Sequence, residues 1–169
     1  MKNILNRSDR LLAVLDLEAS ALGQGSYPIE VGVAIIRPVP LPILTWSTMI
    51  RPTEAWLATG VWSPASAAVH GIPLETVRQQ GMAVENVCEQ MNQLLGYNSI
   101  VATDAPRDDQ DWLDTLFQAA KQEQLFTLYD FDLLTGGLDH DQYRQFQYLL
   151  SRKPIPHRAG GDALRLATA

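Results

Sequence analysis

The segment LLAVLDLEAS, residues 11–20, combines a strand-length apolar run with two carboxylates at its end. The apolar run Leu11–Leu15 is typical of a buried β-strand. Because side chains at positions i and i+2 of a strand point to the same face, Asp16 and Glu18 project together. Two like charges side by side repel each other unless a cation bridges them. Taken alone, the pair fits either a solvent-facing strand end or a metal site.

The chain after this segment predicts an α/β domain with a mixed sheet. Apolar runs at 29–36 and 44–50, joined by Gly- and Pro-containing connections, predict an antiparallel meander with the first strand. Helices are then predicted to alternate with strands: helices over 73–79, 84–95, 109–122, 139–150 and 162–167, strands over 99–103 and 125–134. Strands first, followed by alternating strands and helices, indicate the α/β class. The length of 169 residues fits a single domain, residues 1–169.

Composition excludes several classes of protein. A hydrophobic content of 46% excludes a disordered chain. The lone Cys88 excludes an intramolecular disulfide and a multi-cysteine zinc site, and its helical spacing from Val84 and Met91 predicts a packing role. No stretch approaches the roughly 18–20 apolar residues of a membrane span, and the N-terminal residues lack a secretory apolar region. We therefore expect a cytoplasmic protein with no membrane partner.

The net charge of −6, from 13 basic and 19 acidic residues, does not by itself favour a nucleic-acid partner. Phosphate backbones attract Lys and Arg, so an acidic protein has little non-specific affinity for them. Charge placement matters more than the sum, because carboxylates that hold divalent cations no longer repel phosphate.

Two later segments also carry candidate chemistry. Between residues 104 and 114 lies the acidic cluster Asp104, Asp108, Asp109, Asp111 and Asp114. Most of these residues are explained by the preference of a helix N-terminus for negative charge. In the second segment, HRAGGD at 157–162, paired glycines and a Pro-rich lead-in place His157 on a loop and Asp162 near a helix start. Considered singly, a surface histidine and a helix cap explain these two residues.

Considered together, the three segments predict a metal site. Four converging carboxylates would repel one another strongly without a cation, and Mg²⁺ prefers oxygen ligands. Two metal ions roughly 3.5–4 Å apart are the usual catalytic arrangement for in-line displacement at phosphorus. A nearby histidine suits the removal of a proton from the attacking water near neutral pH.

The ordered set resembles the DEDDh 3′→5′ exonucleases. This DnaQ-like group of the ribonuclease H-like superfamily includes the polymerase III proofreading subunit, ribonuclease T and oligoribonuclease. The resemblance covers 11–167 and is carried by VLDLEAS, by PIEVGVAII, which looks like the family's second strand, by HGI at 70–72, and by HRAGGDALRLA. A member of the Tyr subgroup would carry Tyr four residues before the last Asp, where this sequence has Arg158. The spacing is therefore that of the His subgroup.

The resemblance implies a ribonuclease H-like fold with a mixed sheet of about five strands flanked by helices. It also implies two Mg²⁺ or Mn²⁺ ions and a general base, His157. The implied metal ligands, which are catalytic residues together with His157, are Asp16, Glu18, Asp109 and Asp162. The implied substrate-binding residues are Ala19, Ser20 and Leu22. His70 is a further candidate for substrate binding, and a structural, hydrogen-bonded histidine is the alternative for it.

The middle motif departs from the family pattern. Members commonly read His-Asn-x-x-Phe-Asp there, whereas residues 103–109 read TDAPRDD. Asp104 takes the position of the Asn, and Asp109, one residue beyond the spacing of the pattern, is the preferred metal ligand. Asp108 and Asp104 remain alternatives for that ligand.

The implied activity is hydrolysis of the 3′ end of single-stranded DNA or RNA to release nucleoside 5′-monophosphates. Two other functions fit the same residues: a phosphodiesterase of short substrates such as dinucleotides, and a non-catalytic binding module on the same fold. Some relatives are dimers, so a homodimer is compatible with the resemblance. Two bound divalent ions would bring the formal charge from −6 to about −2. We therefore expect the protein to bind nucleic acid through metal ions at a 3′ end, and not along a basic channel.

Overall fold

The structure is a computed structural model that describes residues 10–169. The strands are β1 (Leu11–Ala19), β2 (Pro28–Ile36), β3 (Leu44–Met49), β4 (Ser99–Thr103) and β5 (Leu128–Asp130). The helices are α1 (Glu54–Thr59), α2 (Pro64–His70), α3 (Leu74–Gln80), α4 (Val84–Leu95), α5 (Pro106–Ala120), α6 (Asp132–Thr135), α7 (His140–Ser151) and α8 (Ala159–Ala167).

The five strands form one mixed sheet in the order β3-β2-β1-β4-β5. The first three strands are the predicted antiparallel meander, while β4 runs parallel to β1 and β5 runs parallel to β4. The predicted α/β architecture with a mixed sheet of about five strands is thus confirmed. Because β1 and β4 are parallel, their carboxyl ends lie at the same edge of the sheet. That edge carries Asp16 and Glu18 on one strand and leads into α5 from the other.

Both faces of β1 are covered, which explains its continuous apolar run. Ala13, Leu15 and Leu17 pack into the core that includes α4 and α5. Val14 points to the opposite face, where it packs with residues of α8. Asp16 follows two residues after Val14 and therefore shares the α8 face of the strand.

Helix α4 confirms the predicted packing role of Cys88. Its side chain is completely buried in the core between α4 and the sheet. Burial raises the pKa of the thiol to about 12, so the thiolate form is disfavoured at neutral pH.

Helices α5 and α8 each begin three residues earlier than predicted. Larger differences from the predicted elements occur in two places. The strand expected over 125–134 is only three residues long, because the Asp130 carboxylate accepts a hydrogen bond from the Asp132 N–H and turns the chain into α6. Two helices that the sequence did not predict, α1 and α2, lie between β3 and α3. Each begins at a hydroxyl cap, Thr53 or Ser63, which was the available sequence signal.

Within 10–169, no helix is both long enough and apolar enough to cross a bilayer.

Helix α8 lies unusually close to β2, and Gly32 makes this approach sterically feasible. A Cβ atom at Gly32 would lie 2.1–2.3 Å from backbone atoms of Ala159 and Gly160. A Cβ at Gly160 would in turn lie 2.8 Å from the side chain of Ser47 in β3. The first turn of α8, which carries Asp162, is therefore seated directly on the sheet.

Gly32→Ala is expected to lower the free energy of unfolding by about 3 kcal/mol or more, because backbone must move to admit the methyl group. Chemical denaturation with urea measures this change. Gly137→Ala is the matched control: its Cβ would have nothing within 4 Å and its φ is not in the left-handed region. It should change the unfolding free energy by less than about 1 kcal/mol. Equal effects of the two substitutions would contradict the close approach of α8.

Candidate active site

Three carboxylates from the two ends of the sequence meet on the α8 face of the sheet. β1 positions Asp16 and Glu18, and the first turn of α8 positions Asp162. One oxygen from each of these side chains lies within 4.8 Å of the other two. Such a set of oxygen donors fits a hard divalent cation such as Mg²⁺ or Mn²⁺.

Burial and mutual repulsion make the charged forms of these carboxyls unfavourable without a cation. Burial, followed by the charge of Asp109 and then of Glu18, raises the pKa of Asp16 from 3.8 to about 9. Burial and the charges of Asp162 and Glu30 raise the pKa of Glu18 to about 7, against the opposing effect of Arg158. A divalent cation would compensate this repulsion directly.

Asp109 lies beside the three-carboxylate group and outside it. Its side chain is 1% exposed in the first turn of α5, and the Thr103 hydroxyl donates a hydrogen bond to it. Burial raises its pKa to about 7, although the hydrogen bond from Thr103 lowers it. Among the charged neighbours of Asp16, Asp109 has the largest effect on its pKa. The structure therefore brings Asp109 into the electrostatic range of the group.

The two alternatives for the middle position differ in location. Asp104 is exposed at the end of β4, and its charge also raises the pKa of Asp16 and of Asp109. Asp108 is exposed and lines a cavity of about 360 Å³ between α5 and the loop of Gly23–Ser26. Asp104 thus acts electrostatically on both Asp16 and Asp109, whereas Asp108 acts on Asp109 and lines the neighbouring cavity.

His157 occupies a turn immediately before α8. It is exposed, and its φ of 51° lies in the left-handed region that non-glycine residues seldom adopt. The next residue, Arg158, donates its backbone N–H to Oδ2 of Asp162 at 3.1 Å. The chain that carries His157 is therefore tied to one of the three carboxylates.

A second cavity, of about 140 Å³, adjoins Glu18. It is bounded by β1, by the segment that follows it and by α2, with Trp112 of α5 at one side. Its lining residues include three of the four predicted substrate-binding residues: Ala19, Leu22 and His70. Leu22 is 78% exposed, which leaves its side chain available to a bound molecule.

Ser20, the fourth predicted substrate-binding residue, is completely buried. Its hydroxyl accepts a hydrogen bond from the Tyr27 N–H at 3.0 Å. The Ser20 side chain thus holds the loop that follows β1, and it is not among the residues that line the cavity.

His70 lines this cavity, and a hydrogen bond fixes its neutral ring in one form. Its Nδ1 accepts a hydrogen bond from the Ile72 N–H at 3.0 Å, so in the neutral ring the proton is on Nε2. The Nε2 atom is buried and has no hydrogen-bond partner among residues 10–169. Burial lowers the pKa of His70, which favours this neutral form. The HGI segment pointed to this residue, but only the tertiary structure shows the unpaired donor.

Sequence reasoning missed Glu30, which was treated as part of an apolar strand. Glu30 is the cross-strand neighbour of Glu18 and is 4% exposed. Its carboxylate accepts hydrogen bonds from the Arg158 side chain and from the Ala159 N–H. The available signal was a single charged residue within the otherwise uncharged run PIEVGVAII.

Comparison with known proteins finds similarity in solved structures. Exonuclease I of E. coli in complex with a dT13 oligonucleotide superposes with a TM-score of 0.69 at 12% identity, covering 94% of this chain and 40% of that chain. Exonuclease I of Methylocaldum szegediense gives 0.68 at 12% identity, covering 94% and 39%. The RNase domain of yeast Pop2 gives 0.62 at 14% identity, covering 92% and 73%. No protein-family model and no curated protein sequence matches the chain.

These similarities define the class of fold. The mixed five-stranded sheet flanked by helices is the ribonuclease H-like fold seen in exonucleases, as the resemblance in the sequence implied. The chain spans about 40% of the length of the Exonuclease I structures that it matches. At this level of identity the comparison shows the fold, and the chemistry is argued from the residues of the site.

Without divalent cations, the protein is expected to lose stability as the pH rises from about 5 to about 9. The pKa values of Asp16, Glu18 and Asp109 are raised in the folded state, so the folded protein binds more protons than the unfolded chain over this interval. Thermal unfolding in a chelator across this pH range measures the effect. Mn²⁺ should raise the melting temperature most at the alkaline end.

Asp16→Asn is the matched variant for this test, because its amide stays neutral at every pH. It should unfold at a similar temperature to the wild type near pH 5 and at a higher temperature near pH 9. A difference between the two proteins that does not change with pH would contradict the raised pKa of Asp16.

Proposed function

We propose that the protein is a metal-dependent 3′→5′ exonuclease that releases nucleoside 5′-monophosphates from single-stranded DNA or RNA. The observation that carries this proposal is the convergence of Asp16, Glu18 and Asp162 beside the turn of His157. The ribonuclease H-like exonuclease fold and the oligonucleotide in the similar Exonuclease I structure support it.

Asp16, Glu18, Asp162 and Asp109 would hold two Mg²⁺ or Mn²⁺ ions. When bound, such ions lower the pKa of water and neutralise charge that develops on a phosphate. The protein's own part is to keep several carboxylates at close range despite their repulsion, and to exclude solvent from the buried Asp109. A bound divalent cation would offset the electrostatic cost of this arrangement.

His157 would act as the general base. Its imidazole is exposed just before α8 and would reach a water molecule held at the carboxylate group. It would take a proton from that water as the water attacks the terminal phosphodiester, and the leaving oxygen would remain on the shortened strand. The released product then carries its phosphate on the 5′ oxygen.

The cavity beside Glu18 would hold the terminal nucleotide. Ala19 and Leu22 offer apolar contacts, and the Nε2–H group of His70 offers a donor to an acceptor atom of that nucleotide. Ser20 would contribute by fixing the loop that carries Leu22, through its hydrogen bond with Tyr27. A bound nucleotide would pair a donor that has no partner in the part of the chain that the structure describes.

Wild-type protein with Mn²⁺ is expected to shorten 5′-labelled single-stranded oligonucleotides progressively and to release labelled mononucleotides from 3′-labelled ones. Asp16→Ala should remove the activity, and His157→Ala should lower kcat by about 10²–10⁴-fold. Asp114→Asn and His140→Ala, both exposed and outside the site, are the matched controls and should retain activity.

The same panel decides between the proposal and its alternatives. Faster hydrolysis of dinucleotides than of twenty-residue strands would favour the short-substrate phosphodiesterase. Oligonucleotide binding by folded protein without any shortening would favour a binding module. Folded protein that neither cleaves nor binds any oligonucleotide would overturn the nuclease function.

Calorimetric titration with Mn²⁺ should identify the middle ligand. Asp109→Asn is expected to weaken cation binding strongly, because Asp109 has the largest electrostatic effect on Asp16. Asp108→Asn should have little effect, since its side chain lines the neighbouring cavity. If Asp104→Asn weakens binding more than Asp109→Asn does, the middle ligand is Asp104.

A further inference from the structure

We propose that Glu30 is a positioning residue that holds His157 and Asp162 in place through Arg158 and Ala159. The proposal rests on the proposed function, because the proposed function assigns His157 and Asp162 their roles. It adds a residue that neither binds the cation nor touches substrate.

Glu30 occupies an unusual location for a charged residue. It lies in β2 directly opposite Glu18, and only 4% of its surface is exposed. A buried carboxylate is strongly destabilising unless it is paired and hydrogen-bonded. Within the described residues, all hydrogen bonds of the Glu30 carboxylate go to one short segment, which begins one residue after His157.

Two different kinds of contact join Glu30 to that segment. The Arg158 guanidinium donates from Nε at 3.0 Å and from Nη2 at 2.5 Å, so the side chain is held at both oxygens. The backbone N–H of Ala159, the first residue of α8, donates to Oε2 at 3.0 Å. One carboxylate thus fixes both the side chain of Arg158 and the backbone at the start of α8.

Through Arg158, these contacts also constrain Asp162 and His157. The Arg158 N–H donates to Asp162, so the segment held by Glu30 also orients a candidate metal ligand. On the other side of Arg158, His157 adopts its left-handed φ of 51°. A non-glycine residue keeps such a conformation only when the surrounding structure imposes it. Glu30 supplies that constraint immediately next to the turn.

The direction of the His157 side chain depends on this turn. The contact with Gly32 seats the rest of the first turn of α8 on β2. His157 precedes the first turn of α8 and is exposed, so packing alone does not orient its side chain. A general base must lie within hydrogen-bond reach of the proton that it removes, and a misplacement of about 1 Å lowers rates about 10²-fold.

Hydrogen–deuterium exchange tests the constraint without any need for activity. Glu30→Gln keeps the shape of the side chain but removes the charge that pairs with Arg158. It should increase amide exchange at Arg158 and Ala159 at least about tenfold, while β1 and β4 keep their protection. Arg158→Lys, which keeps the charge but loses the two-pronged contact, should give an intermediate increase. Unchanged exchange in both variants would overturn the proposal, whatever the activity of the protein.

A kinetic cycle tests whether Glu30 acts through the neighbouring functional residues. Glu30→Gln should lower kcat by about 10–100-fold and leave KM nearly unchanged. In a protein that already carries His157→Ala, the same substitution should lower kcat much less, because its effect passes largely through His157. Equal losses with and without His157 would show that Glu30 does not position this histidine.

A control of matched stability separates positioning from general destabilisation. Val87→Ala removes buried methyl groups from α4, on the opposite face of the sheet from α8. It should lower the melting temperature and leave kcat close to that of the wild type at assay temperatures well below unfolding. A similar fall in kcat in Val87→Ala and Glu30→Gln would attribute the loss to stability and refute positioning. Wild-type protein without nuclease activity would instead refute the proposed function, while the exchange result would stand.

Discussion

The repulsion between carboxylates at the carboxyl end of β1 is the constraint on which the rest of the site depends. Asp16 and Glu18 share a face of the strand, Asp162 joins them from α8, and Asp109 acts on them from α5. Burial strengthens this repulsion, because the medium around the charges is less polarisable than water. A fold that keeps such a group retains an energetic penalty that a divalent cation would relieve.

Close packing of α8 on the sheet is what maintains this unfavourable arrangement. Gly32 lets the first turn of α8 approach β2 more closely than any side chain would allow, and this places Asp162 over Asp16 and Glu18. Glu30 then pairs with Arg158 and the Ala159 N–H at the same turn. Steric fit therefore fixes the distance of the helix from the sheet, and the ion pair between the buried Glu30 and the half-exposed Arg158 fixes the turn that precedes the helix.

Much of the fold could be predicted, because the relevant signals are local. Apolar runs and the Gly- and Pro-containing connections between them identified the three-stranded meander, and helical spacing correctly predicted a buried Cys88. The prediction was wrong at 125–134, where the side chain of Asp130 ends the strand after three residues. It also left α1 and α2 unassigned, since helices this short have little apolar periodicity and depend on their hydroxyl caps.

The sequence by itself determined that Asp16 and Glu18 share a strand face and that Asp162 lies near a helix start, because both follow from the periodicity of local structure. Only the tertiary structure decided which distant groups meet. Glu30 and Arg158 are 128 residues apart, and no local pattern encodes their contact. The unpaired Nε2 of His70 and the burial of Asp109 likewise depend on neighbours from other elements. Their chemistry arises from burial and pairing, which exist only once strands and helices have packed together.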